Sequence, residues 1–273
     1  SSPIGYAFLV VFYVVTGIPF AILLLSSSTD LVIVFSWTFT VLMFIVPILT
    51  MRVIAEERRQ KTDLLLYSLP LSTTQVVIGK YLALLAVYLI PICFICLYPL
   101  IFAQFGEVYL PTAYGSIFAF FIMGAALIAI GVFISSLTEN QGFAAGIGVA
   151  VILLNYFSVS LSEYVSATIF GSIVTLSVLI IALGALIRHL TKNTNLAYAV
   201  CGVLFLAMVA VYFIDASVFE GLLPNIMEEL SLFERFYSFV NGVFDMTAIV
   251  YYLTVIVFFL FLSVQSLEKR RYN

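Results

Sequence analysis

Charged side chains are scarce in this sequence. Only 9% of its 273 residues are charged and 64% are hydrophobic, whereas an ordinary soluble domain has about 25% charged and about 45–50% apolar residues. A water-soluble globule of this size has too little interior to bury that much apolar surface. The composition therefore excludes a soluble enzyme and a disordered chain. The net charge of −3 gives none of the basic surface that nucleic acids require, so the solvent of this chain is lipid.

Residues that carry catalytic or metal chemistry are equally few. The single histidine, His189, lies beside Arg188 at the end of an apolar stretch, where contact with lipid headgroups is favoured over a role as ligand or base. Cys93 and Cys96 form a Cys-x-x-Cys pair inside an apolar run without further ligands, which favours packing over metal or redox chemistry. No ionisable group falls in the middle of an apolar stretch, and no phosphate-binding loop is present. We therefore expect no catalytic residue, cofactor site or metal site in this chain.

Long apolar stretches without charge are what the sequence has in abundance. Eight of them exceed the roughly 20 residues that a membrane-spanning helix needs. Backbone groups in lipid must bond within their own segment, so each stretch should be a helix. We predict an all-α, polytopic helical bundle that forms one transmembrane domain over residues 1–273, and we expect further residues before Ser1 because the sequence does not begin with Met. The predicted spans are residues 4–26, 31–50, 77–103, 112–135, 142–161, 166–187, 195–214 and 246–266.

Lysine and arginine collect on one side of the predicted bundle. With eight spans, only Arg235 falls on the other side. The positive-inside rule makes the basic side cytoplasmic, so the protein is expected in the cytoplasmic membrane with both ends of the given chain in the cytoplasm. The basic residues of the inner side are Arg52, Arg58, Arg59, Lys61, Lys80, Arg188, Lys192, Lys269, Arg270 and Arg271.

The inner loop, residues 51–76, joins the second and third predicted spans and is the most charged segment of the chain. Its charged residues include Glu56, Glu57, Arg58, Arg59, Lys61 and Asp63. They are followed by the apolar cluster Leu64–Leu66 and by Pro70. Ser72 and Gln75 predict a capping box at the start of the next helix. A short helix with a charged face and a leucine knob fits the groove of a cytoplasmic partner. A solvated loop with an interfacial anchor explains the same residues equally well.

The outer loop, residues 215–245, carries apolar residues at helical spacing between Met227 and Val240. This pattern predicts one amphipathic helix, with Asn225 as its N-cap and Gly242 as its stop. We expect this helix to lie on the outer surface of the membrane.

Polar residues inside the predicted spans are few. Asn155, Ser158 and Ser160 on the fifth span suit the lining of a substrate pathway, and hydrogen bonding between helices explains them equally well. Gly124 and Gly131 give the fourth span a face of small residues, which favours close packing within the chain over a dimer interface.

The residues of the inner loop follow a recognisable order. The paired acid Glu56-Glu57 precedes Lys61-Thr62, Asp63, Leu64–Leu66, Leu69-Pro70 and then Gly79-Lys80. This order resembles the signature region of the ABC-2 type permeases, the membrane subunits of ABC exporters. In that family, Gly-Thr usually stands in place of Lys61-Thr62, and Glu stands in place of Asp63.

Further segments extend this resemblance to the gliding-motility-associated branch of the family. They are Ser2–Tyr6, Ser135–Gln141, and Phe233–Asp245 together with Leu267–Arg271. Family members typically have a type V exporter-like core of six spans, so residues 164–214 would be an added hairpin.

The resemblance implies the permease subunit of an ATP-driven exporter. Two permease chains, identical or different, would form the pathway, and cytosolic ABC ATPase subunits would bind ATP and Mg and hold the inner loop as a coupling helix. An auxiliary membrane-anchored protein with an extracytoplasmic domain is a further implied partner, and the acidic outer loop is its expected contact. The implied ATPase-coupling residues are Glu56, Glu57, Arg58, Thr62, Asp63, Leu64, Leu65, Leu66 and Pro70.

Two other classes of function stay open on the residues alone. One is an intramembrane enzyme or scaffold that works without an ATPase, and the other is a secondary carrier driven by an ion gradient. The residues do not name a substrate, but the lack of buried charge favours lipids, hydrophobic peptides and other amphiphiles over ions and sugars.

Overall fold

The computed structural model describes residues 3–26, 31–61, 72–165, 167–191 and 194–271. These residues form helices joined by turns, with no β-strand among them, so the predicted all-α fold is confirmed. The helices are α1 (Pro3–Leu25), α2 (Leu31–Thr50), α3 (Ala55–Arg59), α4 (Thr73–Ile95), α5 (Tyr98–Phe102), α6 (Leu110–Leu137), α7 (Gln141–Ser162), α8 (Ile169–Thr191), α9 (Thr194–Ile214), α10 (Leu222–Glu229), α11 (Glu234–Val240) and α12 (Met246–Arg271). A short 3-10 helix at Ala216–Phe219 precedes α10.

Six segments of the described chain are helical, long and apolar enough to cross a membrane. They contain α1, α2, α4 with α5, α6, α7 and α12. Helices α8 and α9, from the region predicted as an added hairpin, carry shorter apolar stretches over Ile169–Ala185 and Tyr198–Ile214. The chain is thus a multi-pass membrane protein, and a crossing by α8 and α9 remains a prediction.

The chain divides into two compact units, of which the first comprises Ser1–Asn155 and Arg235–Asn273. Helix α6 is the centre of this unit, because 83% of its most apolar stretch is buried, against 28% for α12. Helices α2, α4 and α12 all pack against α6. A shift of α6 would therefore change its packing against most helices of the unit.

Small residues on α6 permit this close packing. Gly124 faces the ring of Tyr88 on α4, and a Cβ atom added at Gly124 would overlap the Tyr88 hydroxyl. That hydroxyl donates a hydrogen bond to the carbonyl oxygen of Phe120 at 3.1 Å. Gly131 stands against Thr50 at the end of α2 in the same way. Both glycines serve helix packing within the chain, as small residues commonly do in membranes.

The outer loop differs from its prediction. Two short helices, α10 and α11, take the place of one amphipathic helix, and Asn225 lies inside α10, whose N-cap is Gly221 with φ of +67°. The predicted cap at Asn225 is therefore wrong. Ser231 lies in the turn before α11, and its Oγ accepts a hydrogen bond at 3.2 Å from the N–H of Glu234, the first residue of that helix. After α11 the chain turns at Gly242, where φ is +81°, so the predicted stop is confirmed.

The apolar side of α11 packs within the protein, and the position of this segment relative to the membrane surface stays a prediction. Phe236 and Phe239 are 0% and 2% exposed. The ring of Phe236 lies 4.9 Å from that of Phe39 and 6.1 Å from that of Phe120, measured between centroids. Burial against other aromatic rings gains more apolar contact than a headgroup region offers, so α11 belongs to the aromatic core of the first unit.

The second unit comprises Tyr156–Glu234. Within it, α8 and α9 pack against each other. The N–H of Gly221 donates a hydrogen bond to the carbonyl oxygen of Ala167 at 2.9 Å. The hydroxyl of Ser162, which is buried, donates to Glu228 Oε1 at 3.2 Å. These bonds join the residues that precede α8 to the segment that follows α9.

The capping box predicted at the start of α4 is confirmed. Ser72 Oγ accepts a hydrogen bond from the N–H of Gln75 at 3.2 Å, and Gln75 Oε1 accepts one from the N–H of Ser72 at 3.0 Å. Ser72→Ala is expected to lower the free energy of unfolding by about 1 kcal/mol, because the first N–H groups of α4 lose their acceptor. Reversible denaturation in detergent micelles measures the change, with Ser160→Ala in the interior of α7 as control. Equal effects of the two variants would contradict the assigned cap.

Candidate functional site

The inner loop leaves the end of α2 through a turn and enters α3. One side of α3 is buried, since Ile54, Ala55 and Arg58 are 2%, 0% and 4% exposed and residues three and four apart share a helix face. The other side is charged and more accessible, and there Arg59 pairs with Glu56 at 3.4 Å. Helix α3 thus presents a charged face while its opposite face packs against the bundle.

A single hydroxyl group joins the beginning of α3 to α6. Ser135 Oγ accepts hydrogen bonds from the N–H groups of Ile54 and Ala55, each at 3.2 Å, and donates one to the carbonyl oxygen of Met51 at 3.1 Å. The first N–H groups of a helix have no partner within that helix, and Ile54 at the N-cap supplies no side-chain acceptor. Ser135, which is fully buried, supplies the missing acceptor from another helix.

Lys80, near the start of α4, holds α3 at a second point. Its Nζ donates a hydrogen bond to the carbonyl oxygen of Val53 at 2.7 Å and lies 2.5 Å from Glu57 Oε2. The Lys80 side chain is only 17% exposed, so water weakens this ion pair less than an open surface pair. Helix α3 has five residues, well below the roughly 12–15 that an isolated helix needs. Its conformation therefore depends on α4 and α6.

The loop between α6 and α7 lies beside α3. Arg52 Nε donates a hydrogen bond to Gln141 Oε1 at 3.0 Å. Next to this contact is an open cleft of about 470 Å³, lined by Arg59, Glu139, Asn140, Gln141 and Gly142. Two loops that are far apart in sequence thus form one polar surface at this end of the bundle.

The structure describes some of the residues that the sequence assigned to ATPase coupling. Glu56 and Glu57 are partly exposed, while Arg58 is buried and has an interaction partner. Arg58 therefore supports the packing of α3 and is not on its accessible face. The remaining assigned residues, Thr62, Asp63, Leu64, Leu65, Leu66 and Pro70, lie outside the described residues.

The residues suggested to line a pathway all lie on α7. Asn155 and Ser158 are half-buried and each has a polar partner. They are three residues apart and so share a helix face. Ser160 is exposed and falls on another face. The structure therefore brings Asn155 and Ser158 to one side of the helix and leaves Ser160 apart from them.

Sequence reasoning missed the two residues that fix α3. The sequence indicated Lys80 only as an inner-side basic residue and as part of the Gly79-Lys80 pair, and Ser135 only as part of the segment Ser135–Gln141. A lysine just inside an apolar stretch was a usable signal, because such a charge needs a partner at the membrane boundary. A serine at the end of an apolar helix carries no comparable signal.

Residues 25–162, just over half of the chain, match the family described as ABC-2 family transporter protein. The matched part runs from the end of α1 through α7 and contains the whole inner loop. No curated protein and no solved structure matches the chain. Members of the matched family are membrane subunits for transport that pair in the membrane and work with a separate ABC ATPase. The chain belongs to the ABC-2 transporter family and is a multi-pass, non-catalytic permease subunit of an ABC transporter.

Proposed function

We propose that this permease belongs to an ATP-driven exporter of the cytoplasmic membrane, and that segment 51–76 is the contact through which a cytosolic ATPase moves it. The attachment of α3 to the bundle is the observation that carries this proposal. A contact that transmits movement must be firmly joined to the helices that it moves. Helix α3 meets this condition through Ser135 on α6 and Lys80 on α4.

The face of α3 that points away from the bundle supplies the proposed docking surface. Glu56 and Arg59 offer paired charges there, and Gln60 and Lys61 continue the exposed polar surface. Charged groups around an apolar contact steer a partner and fix its register. The leucine cluster Leu64–Leu66 is the proposed apolar centre of the contact, with Thr62, Asp63 and Pro70 at its borders.

The remaining features of the proposal follow from the family and the charge distribution. Arg52, Arg58, Arg59 and Lys61 lie in α3 or next to it. The positive-inside rule therefore assigns the end of the bundle that carries α3 to the cytoplasm. Both ends of the given chain then lie in the cytoplasm. A second permease chain, identical or related, completes the pathway, and ATP and Mg bind only to the ATPase. Within the family we assign the chain to the gliding-motility-associated branch, where an auxiliary protein with an extracytoplasmic domain contacts the outer loop.

The proposed pathway carries apolar or weakly polar molecules. Asn155 and Ser158 offer polar but uncharged groups on α7, and no charged residue lies within the apolar stretch of that helix. A desolvated ion needs charged or numerous polar ligands, whereas an amphiphile needs few. We therefore propose amphiphilic substrates such as lipids or hydrophobic peptides.

Co-purification with an ATPase tests the proposed function. The chain, expressed in its native host with an affinity tag and extracted in mild detergent, is expected to retain an ABC ATPase. Adding the permease in lipid vesicles is expected to raise the ATP hydrolysis rate of that ATPase several-fold. Transport that requires an ion gradient and proceeds without any ATPase would overturn the proposal in favour of a secondary carrier.

A further inference from the structure

Three hydrogen bonds converge on the hydroxyl oxygen of Ser135. Two of them come from the N–H groups of Ile54 and Ala55 at the start of α3, and the third goes to the carbonyl oxygen of Met51 just after α2. The partners lie 80 to 84 residues away in sequence. One side chain of α6 therefore completes the hydrogen bonding of both the turn and the helix that follows it.

We propose that Ser135 is the positioning residue that makes α3 and α6 move together, an inference that rests on the proposed function of α3 as the ATPase contact. Helix α3 is too short to hold its own shape. Its start is closed by an acceptor on the central helix of the first unit, against which α2, α4 and α12 pack. Because hydrogen bonds weaken steeply beyond about 3.5 Å, α3 cannot shift relative to α6 without losing the two bonds that Ile54 and Ala55 donate.

The joint between α3 and α6 depends on the Ser135 hydroxyl because the site is buried. Ser135 is 0% exposed, so water cannot replace the hydroxyl when it is removed. The N–H groups of Ile54 and Ala55 would then lack an acceptor at a position where both residues are also buried. A buried donor without a partner is costly, so α3 would loosen at its start while Lys80 still holds it at Val53 and Glu57.

The neighbouring residue provides a matched control. Ser136 is also 0% exposed, but its hydroxyl makes no hydrogen bond to any described residue. Its backbone carbonyl oxygen accepts a bond from Ser266 Oγ at 3.1 Å, which alanine at position 136 would keep. Ser135→Ala and Ser136→Ala thus remove the same atom from equally buried sites on one helix, and only the first removes the joint.

Hydrogen exchange of the permease in lipid nanodiscs tests the joint itself. Ser135→Ala is expected to accelerate exchange of the Ile54 and Ala55 amides about fivefold to tenfold, because the bonds that protect them are lost. Ser136→Ala is expected to leave these amides at the wild-type rate. Equal rates in all three proteins would overturn the assignment of Ser135.

Coupling to the ATPase separates a positioning role from a purely structural one. In the complex of permease and ATPase, Ser135→Ala is expected to retain the ATPase at the wild-type ratio while the stimulation of ATP hydrolysis falls at least threefold. Ser136→Ala is expected to keep full stimulation. If Ser135→Ala does not fold, Ser135→Cys, compared with Ser136→Cys, takes its place, because a thiol accepts hydrogen bonds only weakly. Full stimulation in the Ser135 variant would overturn this inference alone, whereas lack of stimulation by the wild-type chain would overturn the proposed function.

Discussion

Glu57→Lys is expected to reduce ATPase stimulation by the permease by about tenfold. The ion pair with Lys80, 2.5 Å long in the native protein, would become two ammonium groups at the same place. The loss of the ion pair and the new repulsion together destabilise the attached position of α3 by about 1–2 kcal/mol. A difference of about 1.4 kcal/mol is a factor of ten in an equilibrium constant. ATP hydrolysis by the complex in lipid vesicles measures the effect.

Two further variants make this result specific. Glu268→Lys introduces the same change of charge near the end of α12 and is expected to keep normal stimulation. The double exchange Glu57→Lys with Lys80→Glu restores opposite charges and is expected to recover part of the activity. Recovery is incomplete because the glutamate cannot donate the hydrogen bond that Lys80 gives to Val53. A double exchange no better than Glu57→Lys would show that the pair itself is unimportant.

Gly124→Ala is expected to lower the stability of the permease by about 2–3 kcal/mol. The added methyl group would overlap the hydroxyl and ring atoms of Tyr88. Tyr88 cannot swing away cheaply, because it is 0% exposed and its hydroxyl donates to Phe120. Overpacking of a close-packed interior typically costs about 1–3 kcal/mol. Thermal unfolding in detergent micelles measures the loss.

The control for this variant lies on the same helix. A methyl group added at Gly115 meets no atom within 4 Å. Gly115→Ala is therefore expected to leave stability unchanged or to raise it slightly, since alanine favours a helix over glycine by about 1 kcal/mol. A melting temperature of Gly124→Ala equal to that of Gly115→Ala would contradict the packing of α4 against α6.

Local patterns in the sequence were sufficient for the class of fold and for several helix ends. Charge-free stretches indicate membrane helices because lipid excludes charge and demands internal hydrogen bonding. The start of α4 was equally predictable, since Ser72 and Gln75 satisfy each other over three residues. Gly242 also acts locally, through a backbone conformation that favours glycine.

Contacts between distant segments were not predictable in this way. The apolar spacing of the outer loop predicted one helix, but burial of Phe236 against Phe39 and Phe120 favours a separate short helix, α11. Helical spacing reports which residues share a face and not what that face touches. The spacing therefore did not reveal that α11 packs into the aromatic core of the first unit.

The sequence predicted the inner loop as the candidate site, but it did not predict the residues that attach this loop to the bundle. The mixed charges of the inner loop and its position between two spans indicated the site, and the family match includes this loop. The attachment points lie elsewhere in the chain, since Ser135 is 80 residues from Ala55. A serine hydroxyl at the end of an apolar helix can also bond its own backbone, and only the folded arrangement reveals that it bonds α3.

Cross-linking from the end of α3 tests the central claim most directly. Gln60, exposed beside Arg59, is replaced by cysteine in a chain whose Cys93, Cys96 and Cys201 are changed to alanine, and a photoreactive group is attached. A matched chain carries the cysteine at Tyr109, which is 74% exposed before α6. The probe at position 60 is expected to couple to the ATPase in the active complex, whereas the probe at position 109 is not. An active complex in which position 60 couples only to lipid, or is labelled only from outside the cell, would contradict the central claim.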